Sequence, residues 1–172
     1  MASGDTIFIL DPASSVGPAT LAATPDTISD ASTPAAIIPV LDFDATTAEH
    51  RDWHVTVPSN YAGGGFTCSW KGGTDNASVG TFIIELRAIV VSDAIILTGD
   101  LAIDGATAVA ITDTPPATPI NKLNYSTTGA LSHANAGNPS VSGRMIWRAT
   151  RDTATDTNTG DLQLAEILIL ET

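Results

Sequence analysis

The sequence predicts an all-β protein: a single jelly-roll β-sandwich of about eight antiparallel strands with an extended N-terminal arm. Three observations carry that prediction. In two runs joined by a Pro/Gly corner, Arg51 to Val57 and Phe66 to Lys71, residues alternate with period two, which buries one face of each strand and wets the other. Strand candidates separated by turn residues recur along the chain at the spacing of a sandwich, and about eight of them match a single jelly roll. No helix of ordinary length has comparable support, Thr46 to Asp52 forming one turn at most.

The elements follow in order. Thr6-Ile7-Phe8-Ile9-Leu10 is a short apolar run that is costly to leave exposed, so Ile7, Phe8, Ile9 and Leu10 are expected to add to a sheet edge of the chain itself or of a neighbouring subunit. Residues 11–36 are rich in Ala, Ser, Thr and Pro without sustained periodicity, so residues 1–36 read as an arm and 37–172 as the sandwich. The body strands are expected at 37–43, 50–57, 65–71, 79–91, 107–112, 120–128, 141–151 and 161–170. Between the second and third, Pro58 ends a strand and Gly63-Gly64-Gly65 permit backbone angles that other residues avoid. In the fourth, Phe82, Ile84, Leu86, Ala88 and Val90 make one apolar face. Ile83 and Ile89 share the other with Glu85 and Arg87, and that half-apolar face suits cover by a partner. Trp53, Cys68, Trp70, Phe82, Leu86 and Trp147 fall on apolar phases and are expected in the core.

Composition narrows the function classes. Charged residues are 15% of 172, against about 25% in an average soluble domain. Mean hydropathy is +0.17, so part of the surface is expected to face a partner. Nineteen carboxylates against seven Lys and Arg give a net charge of −12, which disfavours nucleic acid and anionic lipid surfaces as partners. Cys68 is the only cysteine, so no intrachain disulfide forms. Met1 to Asp5 has no basic segment, and the longest apolar stretch, Phe82 to Val91, is broken by Glu85 and Arg87. Neither a signal peptide nor a membrane span is expected.

Catalytic motifs are not apparent. The sequence holds no G-x-S-x-G, Walker loop or H-E-x-x-H, and its four glutamates, 49, 85, 166 and 171, offer one pair for a glycosidase, Glu85 with Glu166; an ion pair with Arg87 explains Glu85 more simply. His50, Asp52 and His54 share a strand face, but the two histidines are four residues apart, about 13 Å on a strand, and do not converge on one ion without a bend. The Asp152, Asp156, Asn158 and Asp161 turn has calcium-type oxygens without EF-hand spacing and reads as a hairpin tip with Asx turns. No cofactor, metal or enzymatic activity is expected.

One resemblance is carried by particular residues. Leu41-Asp42-Phe43-Asp44, Glu49, Val57-Pro58 with Asn60-Tyr61-Ala62-Gly63-Gly64-Gly65, Trp70, and the run from Arg151-Asp152 through Asp156-Thr157-Asn158-Thr159-Gly160-Asp161-Leu162 look like a family of small jelly-roll proteins of tailed bacteriophages. It covers most of residues 37–172; residues 92–140 depart from it. Members resemble capsid decoration or cement proteins, so the resemblance implies a homotrimer on the virion exterior that binds the major capsid protein and is made in the host cytoplasm. The alternative reading is a carbohydrate- or receptor-binding domain of a phage fibre or tail, distinguished by aromatics in the loops, where Tyr61 stands alone.

Overall fold

The computed structural model describes residues 3–92, 101–116 and 122–172. Eleven strands are present among them: β1 (Thr6–Leu10), β2 (Thr24–Ser29), β3 (Ile37–Phe43), β4 (His50–Thr56), β5 (Phe66–Thr74), β6 (Phe82–Val91), β7 (Val109–Asp113), β8 (Asn124–Tyr125), β9 (Gly129–Leu131), β10 (Arg144–Arg151) and β11 (Leu162–Glu171). They form two antiparallel sheets, one of seven strands in the order β2-β3-β11-β5-β8 and one of four in the order β4-β10-β6-β7. β1 joins β11 on the edge it shares with β3, and β9 joins β5 beside β8. The chain is a nearly all-β sandwich of jelly-roll type.

Alternation places the core between the sheets. Phe66, Cys68 and Trp70 on β5, Phe82, Ile84 and Leu86 on β6, Met145, Trp147 and Ala149 on β10, and Ile167 and Ile169 on β11 are all buried. The Phe66 ring meets Trp147 edge-on at 5.3 Å, and the Trp70 indole N–H donates to the Ile111 carbonyl at 3.2 Å. Burial pushes the Cys68 thiol up to about 12, which leaves it inert.

Several stretches differ from the sequence expectation. In the segment read as an arm, β1 adds to β11 of the chain's own sheet, one of the two outcomes expected for Ile7 to Leu10, and β2 joins the same sheet through β3. In β1 Phe8 and Leu10 enter the core and Ile9 stays exposed, while Asp11 accepts a hydrogen bond from the Trp53 indole at 2.8 Å. Val16 and Ala22 then bridge to Asp52 and His50 on β4, so residues 6–23 cross from one sheet to the other. The apolar run supplies core side chains, and that burial holds it. The second stretch is the predicted strand 120–128, which is reduced to Asn124–Tyr125, with 120 and 121 outside the described residues. β2 and β9 were not predicted: β2 is exposed along almost its whole length, has no apolar period, and is held by backbone pairing to β3. The predicted strand at 79–91 begins only at Phe82, because Gly80 turns the chain at φ +128° and packs so close that a Cβ would lie 2.5 Å from the Thr157 carbonyl oxygen.

Beside the core, Arg151 is fully buried with an ion pair to Asp156 at 2.9 Å and hydrogen bonds to the carbonyls of Phe43, Asn158 and Gly160. The polar turn 152–160 is therefore organised around this guanidinium. Asp152 bonds within the turn to Ala154 and Thr155, and Asp161 accepts from the Ala45 N–H at 2.8 Å.

Candidate functional site

Period-two alternation turns a polar set outward from the four-stranded sheet, and the register aligns it in rows. Arg148 on β10 lies between Asp52 on β4 and Arg87 on β6; Ile146 lies between His54 and Ile89; Thr150 lies between His50 and Glu85. Arg148 donates through Nε and Nη2 to both oxygens of Asp52, at 2.7 and 2.8 Å, and through Nη1 to Asp104 at 2.6 Å. The hydrogen bond to Asp52 dominates in holding the guanidinium charged. Glu85 and Arg87 pair at 2.7 Å on the same strand, and His50 Nδ1 lies 2.9 Å from the Thr150 hydroxyl. Burial, followed by the Arg148 charge, lowers the His50 pKa.

A loop folds over this face. The 3-10 turn Ile103–Gly105 brings Asp104 to Arg148 and buries Ile103, and Ile146 is buried although it points away from the core. The result is a groove of about 320 Å³ lined by Asp52, His54, Asp104, Arg148 and the aliphatic Leu101, Ile103 and Ile146. A second hollow of about 490 Å³ adjoins it through Leu101 and runs past Ile89 and Ala106 to Asn135. The groove combines fixed donors, fixed acceptors and an aliphatic wall. Such a surface offers contacts for a small polar molecule that has both hydroxyls and C–H faces.

The residues singled out in sequence have separate fates. Phe8 and Leu10 are core, Ile7 packs against the core, and Ile9 is 60% exposed at the edge of the large sheet. Ile83 and Ile89 are half-buried on the outer face of the four-stranded sheet, and Ile89 lines the larger hollow, partly covered by the chain's own loop. His50 and Asp52 are engaged by Thr150 and Arg148, and among the described residues no three His, Cys, Asp or Glu side chains come together as a metal site. Glu85 and Glu166 lie on different sheets, and Arg87 takes Glu85. Tyr61 is buried, stacked on Phe66 at 5.5 Å, with its hydroxyl shared between the Gly64 carbonyl and His133. Tyr125 is the exposed aromatic, and the Lys71 ammonium lies 4.8 Å from its ring centre. Sequence reasoning missed Arg148 and Asp104. Arg148 carried a signal in its place on the polar phase of a strand; Asp104 carried none.

The outer face of the seven-stranded sheet has a different character. Thr24, Asp42, Gln163 and Gly73 form one row across β2, β3, β11 and β5, with Asp75 just beyond the end of β5. Burial, and then the charges of Asp161, Asp75, Asp26 and Glu49, push the Asp42 carboxyl up to about 6.

No protein-family model matches the chain, and no curated protein sequence matches it. Solved structures share its fold. A family 35 carbohydrate binding module from Clostridium thermocellum aligns with 96% of this chain and 98% of its own at TM-score 0.51 and 10% identity. The CBM22-1 xylan-binding domain of Xyn10C from Paenibacillus barcinonensis aligns over 99% and 97% at TM-score 0.47 and 12% identity. Tailspike protein 4 of bacteriophage CBA120 aligns over 96% of this chain but 19% of its own, at TM-score 0.40 and 12% identity. At 10% identity the likeness to the family 35 module is one of fold alone.

Proposed function

We propose that this chain is a carbohydrate-binding β-sandwich that takes a neutral saccharide in the groove of the four-stranded sheet. The observation that carries the reading is the Arg148–Asp52–Asp104 array set against Leu101, Ile103 and Ile146. A guanidinium has five N–H donors, of which three are used by the two aspartates, so two remain for hydroxyl oxygens. Asp104 is 77% exposed and offers acceptors for hydroxyl hydrogens, His54 adds a ring nitrogen, and the aliphatic wall meets the C–H face of a sugar ring. The charge of −12 weighs against an anionic glycan. The fold shared with the family 35 carbohydrate binding module is in keeping with this reading.

Calorimetric titration against a panel of neutral oligosaccharides tests it. At least one is expected to bind, and Asp104→Ala, which removes an exposed side chain, should weaken that ligand about tenfold, the value of one charge-assisted hydrogen bond. No binding across the panel, or unchanged affinity in the variant, would refute the reading.

The β2–β3 hairpin supports a second reading. It is exposed from Thr24 to Pro39 and presents Ile37, 63% exposed, and Ile38 beside the small residues 30–36. An exposed ribbon carrying an apolar pair of this kind fits a protein partner, in keeping with decoration of a phage head exterior by a homotrimer that binds the major capsid protein. Light scattering on the purified protein and co-sedimentation with purified heads separate the two: a monomer that ignores heads ends the second reading.

A further inference from the structure

We propose that the outer face of the seven-stranded sheet binds a divalent cation of the calcium type between Asp42, Gln163 and Asp75. Three buried oxygens there, Asp42 Oδ1, Asp75 Oδ1 and Gln163 Oε1, have no hydrogen-bond partner. Gln163 is only 6% exposed, and an unpaired polar atom at that depth costs free energy that a bound ion removes.

The register brings the three side chains together. Gln163 on β11 sits directly opposite Asp42 on β3 and Gly73 on β5, and Asp75, just past the end of β5, lies near enough for its charge to act on the Asp42 carboxyl. Asp42 and Asp75 flank Gln163 from the two sides of β11, about 10 Å apart across two strand spacings, so the ion would lie over Gln163 with a carboxylate reaching in from each side to bond at about 2.3–2.6 Å. Position 73 must be glycine, because a Cβ would lie 2.6 Å from the Lys122 carbonyl oxygen, which places a further oxygen over the same face. The charges acting on Asp42 are those of Asp161, Asp75, Asp26 and Glu49, all of one sign. Oxygen-only donors, two carboxylates and an amide among them, with water completing the shell at the half-exposed side, fit calcium better than the nitrogen- and sulfur-seeking metals.

Thermal unfolding and calorimetry on the full chain after chelator treatment test this site. Calcium at roughly one hundred times its dissociation constant should raise the unfolding midpoint by about 5–10 °C, with one ion per chain. Asp42→Asn and Gln163→Leu, checked for folding by circular dichroism, should each lose that response. Asp104→Asn, on the opposite sheet, should keep it. Absence of heat and of any shift in the wild-type protein would overturn the proposal, since a Gln163 amide turned to donate to Asp42 would then suffice. An equal shift from magnesium or from sodium chloride at matched ionic strength, a full response in Asp42→Asn, or loss in Asp104→Asn would overturn it as well.

Discussion

The outer faces of the two sheets are both polar, yet they handle charge in opposite ways. On the four-stranded sheet the central charges meet counterparts: Arg148 lies between Asp52 and Asp104, and Arg87 holds Glu85. On the seven-stranded sheet Asp42 faces only further carboxylates and an amide, and its oxygen goes unmatched. The first arrangement is fixed by its own ion pairs and keeps N–H donors to spare, which suits recognition of a neutral ligand. The second is incomplete, and its local balance depends on something from solution. Position in a sandwich therefore says little about electrostatic character; the neighbours delivered by strand order decide it.

Substitutions sharpen this contrast, and the largest effect is expected where pairing is fully buried. Asp156→Ala strands the Arg151 guanidinium in the interior and should cost about 3–5 kcal/mol in denaturant unfolding. A cost below 1 kcal/mol would mean that the carbonyl bonds of Phe43, Asn158 and Gly160 satisfy the cation alone. Arg148→Met leaves Asp52 and Asp104 unpaired on a half-covered face, and a loss of about 1–3 kcal/mol is expected. The smallest effect, and the only one of opposite sign, belongs to Asp42→Asn. In chelator at pH 7 it should stabilise by about 1 kcal/mol, a value discounted for the solvent screening of a half-exposed carboxylate.

The pH dependence of that last variant fixes its cause. Asp42 titrates about 6 in the folded protein against 3.8 when unfolded, so folding favours its protonated form. Below about pH 4 the group is neutral in both states and wild type and Asp42→Asn should be equally stable. Between pH 4 and 6 the unfolded chain sheds the proton first, so wild-type stability falls relative to the variant, and the gap is complete above pH 6. Parallel stability profiles for the two proteins in chelator would show that Asp42 carries no such strain.

Much of the sandwich was legible because burial on one face leaves period two in the sequence, and β4, β5, β6, β10 and β11 all carry it. β2 was not, since a strand exposed on both sides has no pattern to read. The run at 6–10 was visible as strand-like, but nothing local says that Phe8 belongs in the same core as Trp147, against which its ring packs at 6.5 Å. The groove was half-legible: Asp52 and His54 were seen on one polar face, whereas Asp104 comes from a stretch without periodicity and meets Arg148 only through the loop fold. Asp42, Asp75 and Gln163 belong to three distant segments that become neighbours because β11 inserts between β3 and β5, an order that sequence alone does not impose. The turn at 152–160 is polar as expected, but its Asp156 serves a buried arginine that the surface reading of the cluster does not anticipate.

β11 has a consequence for how the molecule is made. It is the last of the described strands to leave a ribosome, and β1, β3 and β5 all pair with it, Thr6 opposite Leu170. Until it emerges the large sheet has no centre, and Phe8 and Leu10 wait without the neighbours that bury them. Long-range pairing of this kind is slow and leaves sticky segments open during synthesis. Yield in the cell should therefore track chaperone supply and growth temperature more closely than it tracks the equilibrium stability of the finished fold.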